Sequence, residues 1–310
     1  MVSHPRIAEL LVETGAYKDL ERPVILTSGL LGIYYINTEK LAQDSGEFAK
    51  YGDDSKAMIN HAYRMMQEHL SFAEVIEIIS DEVENGFAER GVSPNLRVIS
   101  GGQRRDWLFS GPVARALDYP HVSLYNDGHL YMIRPDGETT DVIPGFYASH
   151  VSDLLTKGSS SLDLRKIPQT GWLPMLWDAG IRVSDFSAVV TRLQGGEKVL
   201  AKAGIDARSF VQIDEAFLRE HSKQSDVAID YVTKGALLWG TEHLETHVME
   251  AVIDAFDPSK KKDDRAAKFL AVYDQTLRST NMRDVLRFRV LRKYDFDIDT
   301  LPSSFSQQEE

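Results

Sequence analysis

Apolar positions along the chain follow two periods, and the pattern switches twice. Up to Pro94 the spacing is mostly helical. Ile7, Leu10 and Leu11, with Gly15 just beyond, predict a short amphipathic helix over 7–14. Ile59, Tyr63, Met66, His69 and Leu70 share one side of a long helical region over 55–90, which carries a second segment from 73 to 87. Between these helices, Val24-Ile25-Leu26 and Ile33-Tyr34-Tyr35-Ile36-Asn37 are β-rich runs parted by Thr27-Ser28-Gly29, which predicts a hairpin. After Pro94, short apolar runs at 96–100, 121–125, 130–134, 146–151, 186–191 and 210–213 alternate with helical stretches at 107–117, 173–179 and 195–203. Strands interleaved with helices of this length predict an α/β fold with a mostly parallel sheet covered on both faces. Beyond about residue 222 no strand signal remains. Helices are expected over 228–256 and 264–278, and the polar tail 303–310 reads as disordered chain.

Composition narrows the chemistry. The chain has 310 residues, enough for one large domain or a domain with an appendage. Thirty-five Lys and Arg against 47 Asp and Glu leave a net charge of −12, so the molecule as a whole repels a polyanion, although a local seat for a small phosphate ligand is compatible with it. No nucleic-acid partner is expected, and Lys260-Lys261-Lys262 reads as a solvated loop. With no Cys, disulfides, zinc ribbons, iron–sulfur clusters and thiol nucleophiles are excluded. No apolar stretch is long enough to span a membrane, and the N-terminus carries charge too early for a signal peptide, so a cytoplasmic protein is expected.

The segment richest in chemistry is Val151-Ser152-Asp153-Leu154-Leu155-Thr156-Lys157-Gly158-Ser159-Ser160. A strand ending in a carboxylate, followed by a Thr/Gly/Ser turn that opens a helix, offers amides and hydroxyls to an anion. Lys157 adds positive charge, and Asp153 stands where it could accept hydrogen bonds from sugar hydroxyls. The alternative for the same residues is a plain strand-to-helix loop with a capping side chain.

This segment resembles the phosphoribosyl pyrophosphate (PRPP) loop of type I phosphoribosyltransferases, and three further segments resemble the orotate phosphoribosyltransferases in the order that branch requires. Leu26-Thr27-Ser28-Gly29 with Tyr34-Tyr35-Ile36 is similar to the N-terminal substrate hairpin, or hood. Ile99-Ser100-Gly101-Gly102-Gln103-Arg104-Arg105 stands where the family has a strand and a pyrophosphate turn, and Val189-Val190-Thr191-Arg192-Leu193-Gln194-Gly195-Gly196 resembles the late strand and its turn. The resemblance covers about residues 5–220. It implies a phosphoribosyltransferase-like α/β domain over 1–221, to which 222–310 adds a helical C-terminal extension without counterpart. The implied reaction transfers ribose 5-phosphate from PRPP to a pyrimidine or related base with release of pyrophosphate, assisted by Mg²⁺, in a homodimer acting in nucleotide metabolism. The implied roles are Asp153 at the ribose as catalytic residue; Thr156, Lys157, Gly158, Ser159 and Ser160 at the 5-phosphate; Gly101, Gly102, Arg104 and Arg105 at the pyrophosphate; and Ser28, Gly29, Tyr34 and Arg192 at the base.

Three departures bear on transfer. Ser152 replaces the first of two adjacent acids, Thr27 replaces the Lys before Ser-Gly, and Ser123-Leu124-Tyr125-Asn126-Asp127-Gly128-His129 has no lysine where the family has a mobile basic loop. Losing preorganised charge over a departing pyrophosphate costs several kcal/mol, on the order of a missing oxyanion donor. A second reading is therefore a non-catalytic PRPP- or nucleotide-binding protein on the same fold. Apart from these, His243, His247 and Glu250 share a helix face at a spacing that can bind a metal, though paired surface histidines give the same pattern, and no metal ligand is assigned.

Overall fold

The computed structural model describes residues 3–26, 28–43, 46–164, 166, 169–244, 248–257 and 264–300. They divide into two compact units, Met1–Tyr17 with Ile36–Phe217, and Lys18–Tyr35 with Leu218–Glu310. The hairpin thus groups with the C-terminal helices, whereas a division at residue 221 would put it in the α/β domain.

The first unit carries a seven-stranded sheet. Its strands are β3 (Arg97–Gly102), β4 (His121–Leu124), β5 (Leu130–Ile133), β6 (Thr139–Thr140), β7 (Tyr147–Leu155), β8 (Arg182–Thr191) and β9 (Asp206–Gln212), in the spatial order β6-β5-β4-β3-β7-β8-β9. β4, β3, β7, β8 and β9 run parallel, and β5 and β6 turn back as an antiparallel edge. The mostly parallel α/β sheet expected from the alternation is present. Its central strands are buried, and Val98, Ala148 and Phe186 belong to a core with Leu173, Leu176 and Leu200 of α5 (Trp172–Asp178) and α6 (Gly196–Lys202).

Against the sheet also pack α2 (Ser55–Glu68), α3 (Leu70–Glu89) and α4 (Trp107–Ala116), while α1 (Pro5–Glu13) precedes the hairpin in sequence. The helical region over 55–90 is two helices that part at His69, earlier than the second segment expected from residue 73. His69 takes extended angles (φ −123°, ψ 106°), and Leu70 is 85% exposed, so the apolar stripe does not continue through the junction. The segment 156–171 differs from expectation as well. No helix opens after the Thr/Gly/Ser turn; the chain makes a turn at 158–162 and a short bridge from Asp163 to Thr170, and α5 begins only at Trp172.

The second unit contains a two-stranded sheet of β1 (Tyr17–Ile25) and β2 (Leu31–Ile36), with Tyr17 and Ile36 counted in the first, and helices α8 (Ser225–Lys234), α9 (Ala236–His243), α10 (Met249–Ala255), α11 (Arg265–Ser279) and α12 (Met282–Tyr294). α7 (Glu215–His221) joins the two. α8, α9 and α10 occupy the stretch expected to hold one or two helices, and α12 was not signalled by periodicity. The lysines at 260–262 and the tail 303–310 lie outside the described residues.

α2 and α4 approach closely at Gly111, where a Cβ would overlap the Ile59 side chain. Gly111→Ala is therefore expected to destabilise the protein by about 1–3 kcal/mol, the usual cost of overpacking. Adding Ile59→Ala should recover part of that loss, a coupling readable by chemical denaturation of the four-member cycle; strict additivity would contradict the close approach.

Candidate active site

Parallel sheets place ligands outside the carboxyl ends of the strands where the strand order reverses. Here that point lies between β3 and β7: the chain leaves β3 toward β4 on one side and returns as β7 on the other. The two strands pair from Arg97↔Tyr147 to Ser100↔His150 and no further. Beyond that register the gap is bridged by one carboxyl group. Asp106 Oδ2 accepts from the Gly102 amide (3.0 Å), and Oδ1 accepts from the Ser152 hydroxyl (2.9 Å) and the Asp153 amide (2.8 Å). Asp106 is buried, and burial first, then the neighbouring charge of Asp153, pushes its carboxyl up to about 8.

Two buried histidines flank this bridge. The Ser110 hydroxyl donates to the Asp106 carbonyl (2.9 Å), which leaves its oxygen to accept from His121 Nε2 (2.8 Å), so Nδ1 of His121 accepts from Ser123 (3.0 Å). His150 Nδ1 lies 3.1 Å from the Ser100 hydroxyl, its ring stacks on Phe186, and its Nε2 is 3.9 Å from Asp106 Oδ2. Burial holds both imidazoles down at about 3, helped for His121 by His150, and both are neutral at physiological pH.

Asp153 is 8% exposed. Its Oδ2 accepts from Thr38 Oγ1 (2.7 Å) and lies 3.7 Å from Arg105 Nη1, while Arg105 Nε is also 3.7 Å from Glu39. Arg104 turns toward Asp53 (3.3 Å). Gln103 donates to that same Asp53 and accepts from the Asn126 amide (2.8 Å), which ties the β4–β5 turn to the β3 turn. Gly101 and Gly102 are buried: a Cβ at Gly101 would overlap Ser110, and one at Gly102 would overlap the Trp172 indole. Both glycines serve close packing here.

Among the described residues the loop after β7 opens no helix. Gly158 (φ +77°) lets it pass against Gly196, whose amide donates to the Thr156 carbonyl (2.9 Å), while the Arg192 amide donates to Leu155 (3.0 Å). The turn closes through the Ser161 and Leu162 amides onto the Gly158 carbonyl (3.0 and 2.8 Å). Among the described residues, the amides of Lys157, Gly158, Ser159 and Ser160 donate to no protein acceptor. Lys157, Ser159 and Ser160 are exposed, Thr156 and Arg192 half-buried.

The structure thus brings together Asp153, Arg105 and the end of β3, and sets Arg192 beside the 156–160 loop. The hairpin residues belong to the second unit. Gly29 (φ +82°) packs on the Lys268 backbone, Tyr34 is buried with its ring edge-on to Tyr231 at 5.7 Å, and Ser28 is exposed. His243 Nδ1 donates to the Trp239 carbonyl (2.8 Å) and its ring stacks on that indole, and His247 lies outside the described residues. Magnesium requires several oxygen ligands in octahedral array. It meets that need with waters and substrate phosphates beside one or two carboxylates; among the described residues no three His, Asp or Glu gather, and no step is assigned to the ion.

Asp106, His121, His150, Thr38 and Trp172 were not among the residues expected from sequence; only Asp106 had a signal, an acid four residues after a glycine turn, and it pointed equally to a surface ion pair with the arginines.

The buried groups set the pH dependence of stability. A carboxyl raised to about 8 contributes fully below the ordinary carboxylate range and loses that contribution as pH climbs through 8; histidines lowered to about 3 contribute fully above 6.5 and lose it as pH falls toward 3. Denaturation midpoints should peak near neutrality, with a fall of about 1 kcal/mol from pH 7 to 9 from Asp106 alone. Asp106→Asn should flatten that alkaline limb, and an identical limb in the variant would remove the assignment.

No family model matches this chain, and no curated protein does. Among solved structures, the chain is similar to an orotate phosphoribosyltransferase from Aeropyrum pernix at 17% identity and TM-score 0.46, over 69% of this chain and 98% of that one. It is similar to a UMP synthase from Leishmania donovani at 16% identity and TM-score 0.46, over 74% of this chain and 42% of that one, so it spans under half of the larger protein. It is similar to an adenine phosphoribosyltransferase from Thermoanaerobacter pseudethanolicus at 18% identity and TM-score 0.36, over 58% and 89% of the two chains.

Proposed function

We propose that this protein binds a phosphorylated ribose of the PRPP or nucleotide class at the 156–160 loop and does not transfer it. The observation that carries the reading is the run of unpartnered amides from Lys157 to Ser160, flanked by an exposed lysine and two exposed hydroxyls. Backbone amides without an acceptor favour an anion because its charge replaces the water they would otherwise hold. Lys157 and the Ser159 and Ser160 hydroxyls complete the phosphate seat, and Asp153 receives ribose hydroxyls in place of Thr38.

Orotate-type transfer, the reading favoured by motif order, asks for more. Departure of pyrophosphate needs cationic cover in the transition state. Where a basic loop would supply it, the chain makes a tight turn from Tyr125 to His129, closed by Tyr125 N to His129 O (2.9 Å) and Gly128 N to Tyr125 O (3.1 Å). That turn carries no lysine.

Ribose 5-phosphate should raise the melting temperature in proportion to the logarithm of its concentration above Kd. Lys157→Ala should weaken that binding by about tenfold, the usual worth of a charged hydrogen bond. Incubation with PRPP, Mg²⁺ and either orotate or adenine should release no pyrophosphate above the protein-free blank. Release that disappears in Asp153→Asn would establish transfer instead, and no thermal response to any ribose phosphate would reject the site.

A further inference from the structure

We infer that α12 is a self-association surface: two copies of this chain pair antiparallel along it, about a twofold axis at Phe288.

The helix has a packed side and a bare side. Leu286 and Val290 are buried, and α10 and α11 lie against α12. At roughly 3.6 residues per turn, Phe288 stands about 200° round the helix from each of them, which turns it away from that core. It is 64% exposed, and Val285 and Leu291, at equal spacing before and after it, are 48% and 42% exposed. Asp284 and Arg292, one position further out on each side, are exposed as well, and so are the cap residues Asn281 and Asp295. These positions recur at the spacing of a single helix face, so an open stripe runs the length of α12.

The order of residues on the stripe is its own complement. In an antiparallel pair centred on Phe288, every residue meets the one equally far along in the other direction. Phe288 meets its counterpart, Val285 meets Leu291, Asp284 meets Arg292, and the Asn281 amide meets the Asp295 carboxylate. Apolar groups face each other at the centre and opposite charges face each other at both ends, which is the isologous arrangement of a C2 dimer. In a parallel pair Asp284 would face Asp284 and Arg292 would face Arg292, so the charges also choose the direction.

The flanking cations are compensated within the chain. Arg283 and Arg287 pair with Asp299 (2.8 and 3.0 Å), Arg289 with Glu250 (3.0 Å) and Lys293 with Asp254 (2.5 Å). Among the described residues, Arg292 and Asp284 form no ion pair. The two charges left open on the helix are thus the two that a second copy would bring together. One pair of helices covers less than the roughly 1,600 Å² of a standard interface, so the dimer is weak and forms as concentration rises.

The test is sedimentation velocity of the full-length protein over roughly 1–500 μM, the span in which a weak pair passes from apart to associated. The wild type is expected to move from monomer to dimer across that range. Asp284→Arg and Arg292→Asp each set like charges together at both ends and should raise the dissociation constant at least about tenfold. Mixed in equal amounts, these two variants should associate with each other to within about threefold of the wild type, because the mixed pair again has opposite charges at both ends. The double variant should recover in the same way. A wild type that stays monomeric throughout would overturn the inference, as would a dimer that the single changes leave intact or a mixture that fails to associate. Both substitutions are at exposed positions, and the wild-type series decides the matter even where a variant fails to fold.

Discussion

Two parallel strands that separate at their carboxyl ends leave amides pointing into a gap, and some acceptor must take them. In this protein the acceptor is built in. The Asp106 carboxyl receives Gly102, Ser152 and Asp153 together, joining β3 to β7 just past their last paired residues. The position of the β3 turn against β7 follows from that one bridge. Burying an ionisable carboxyl is costly unless its oxygens are satisfied, and here three donors meet it while burial keeps it largely protonated up to slightly alkaline conditions.

The same bridge separates two halves of a site that transfer chemistry would need joined. On the β7 side the loop from Thr156 to Ser160 presents amides, hydroxyls and a lysine. On the β3 side Gln103 is half-buried, the exposed Arg104 and Arg105 lie 3.3–3.7 Å from Asp53, Glu39 and Asp153, and the chain from Tyr125 to His129 turns tightly. Binding a ligand and transferring part of it draw on different residues, and the function proposed for this chain rests on the first set.

Much of this arrangement was legible in the sequence, for identifiable reasons. β3, β7 and β8 were visible because strands buried on both faces read as continuous apolar runs, and Asn126-Asp127-Gly128 announced its turn through residues that tolerate left-handed or tight backbone. Asp106 was not readable, because an acid beside two arginines looks like a surface pair. Its burial comes from donors at Ser152 and Asp153, far along the chain. The missing helix after Ser160 and the seat of Trp172 are likewise tertiary outcomes. α12 escaped because its apolar residues are spread around the helix: Leu286 and Val290 are buried, Val285, Phe288 and Leu291 exposed.

The hairpin's packing carries a consequence for how the chain comes together. Gly29 rests on the backbone of Lys268, the Leu31 amide and carbonyl meet the phenols of Tyr273 and Tyr231, and Arg265 reaches the Ile25 carbonyl. During synthesis, residues 18–35 leave the ribosome long before α8 and α11 exist, and an isolated two-stranded ribbon is marginal at best in water. The sheet unit can finish once Phe217 has emerged, while the ribbon waits for Tyr231 and Tyr273, which follow Leu31 by 200 and 242 residues. Helices made late give an early segment its shape.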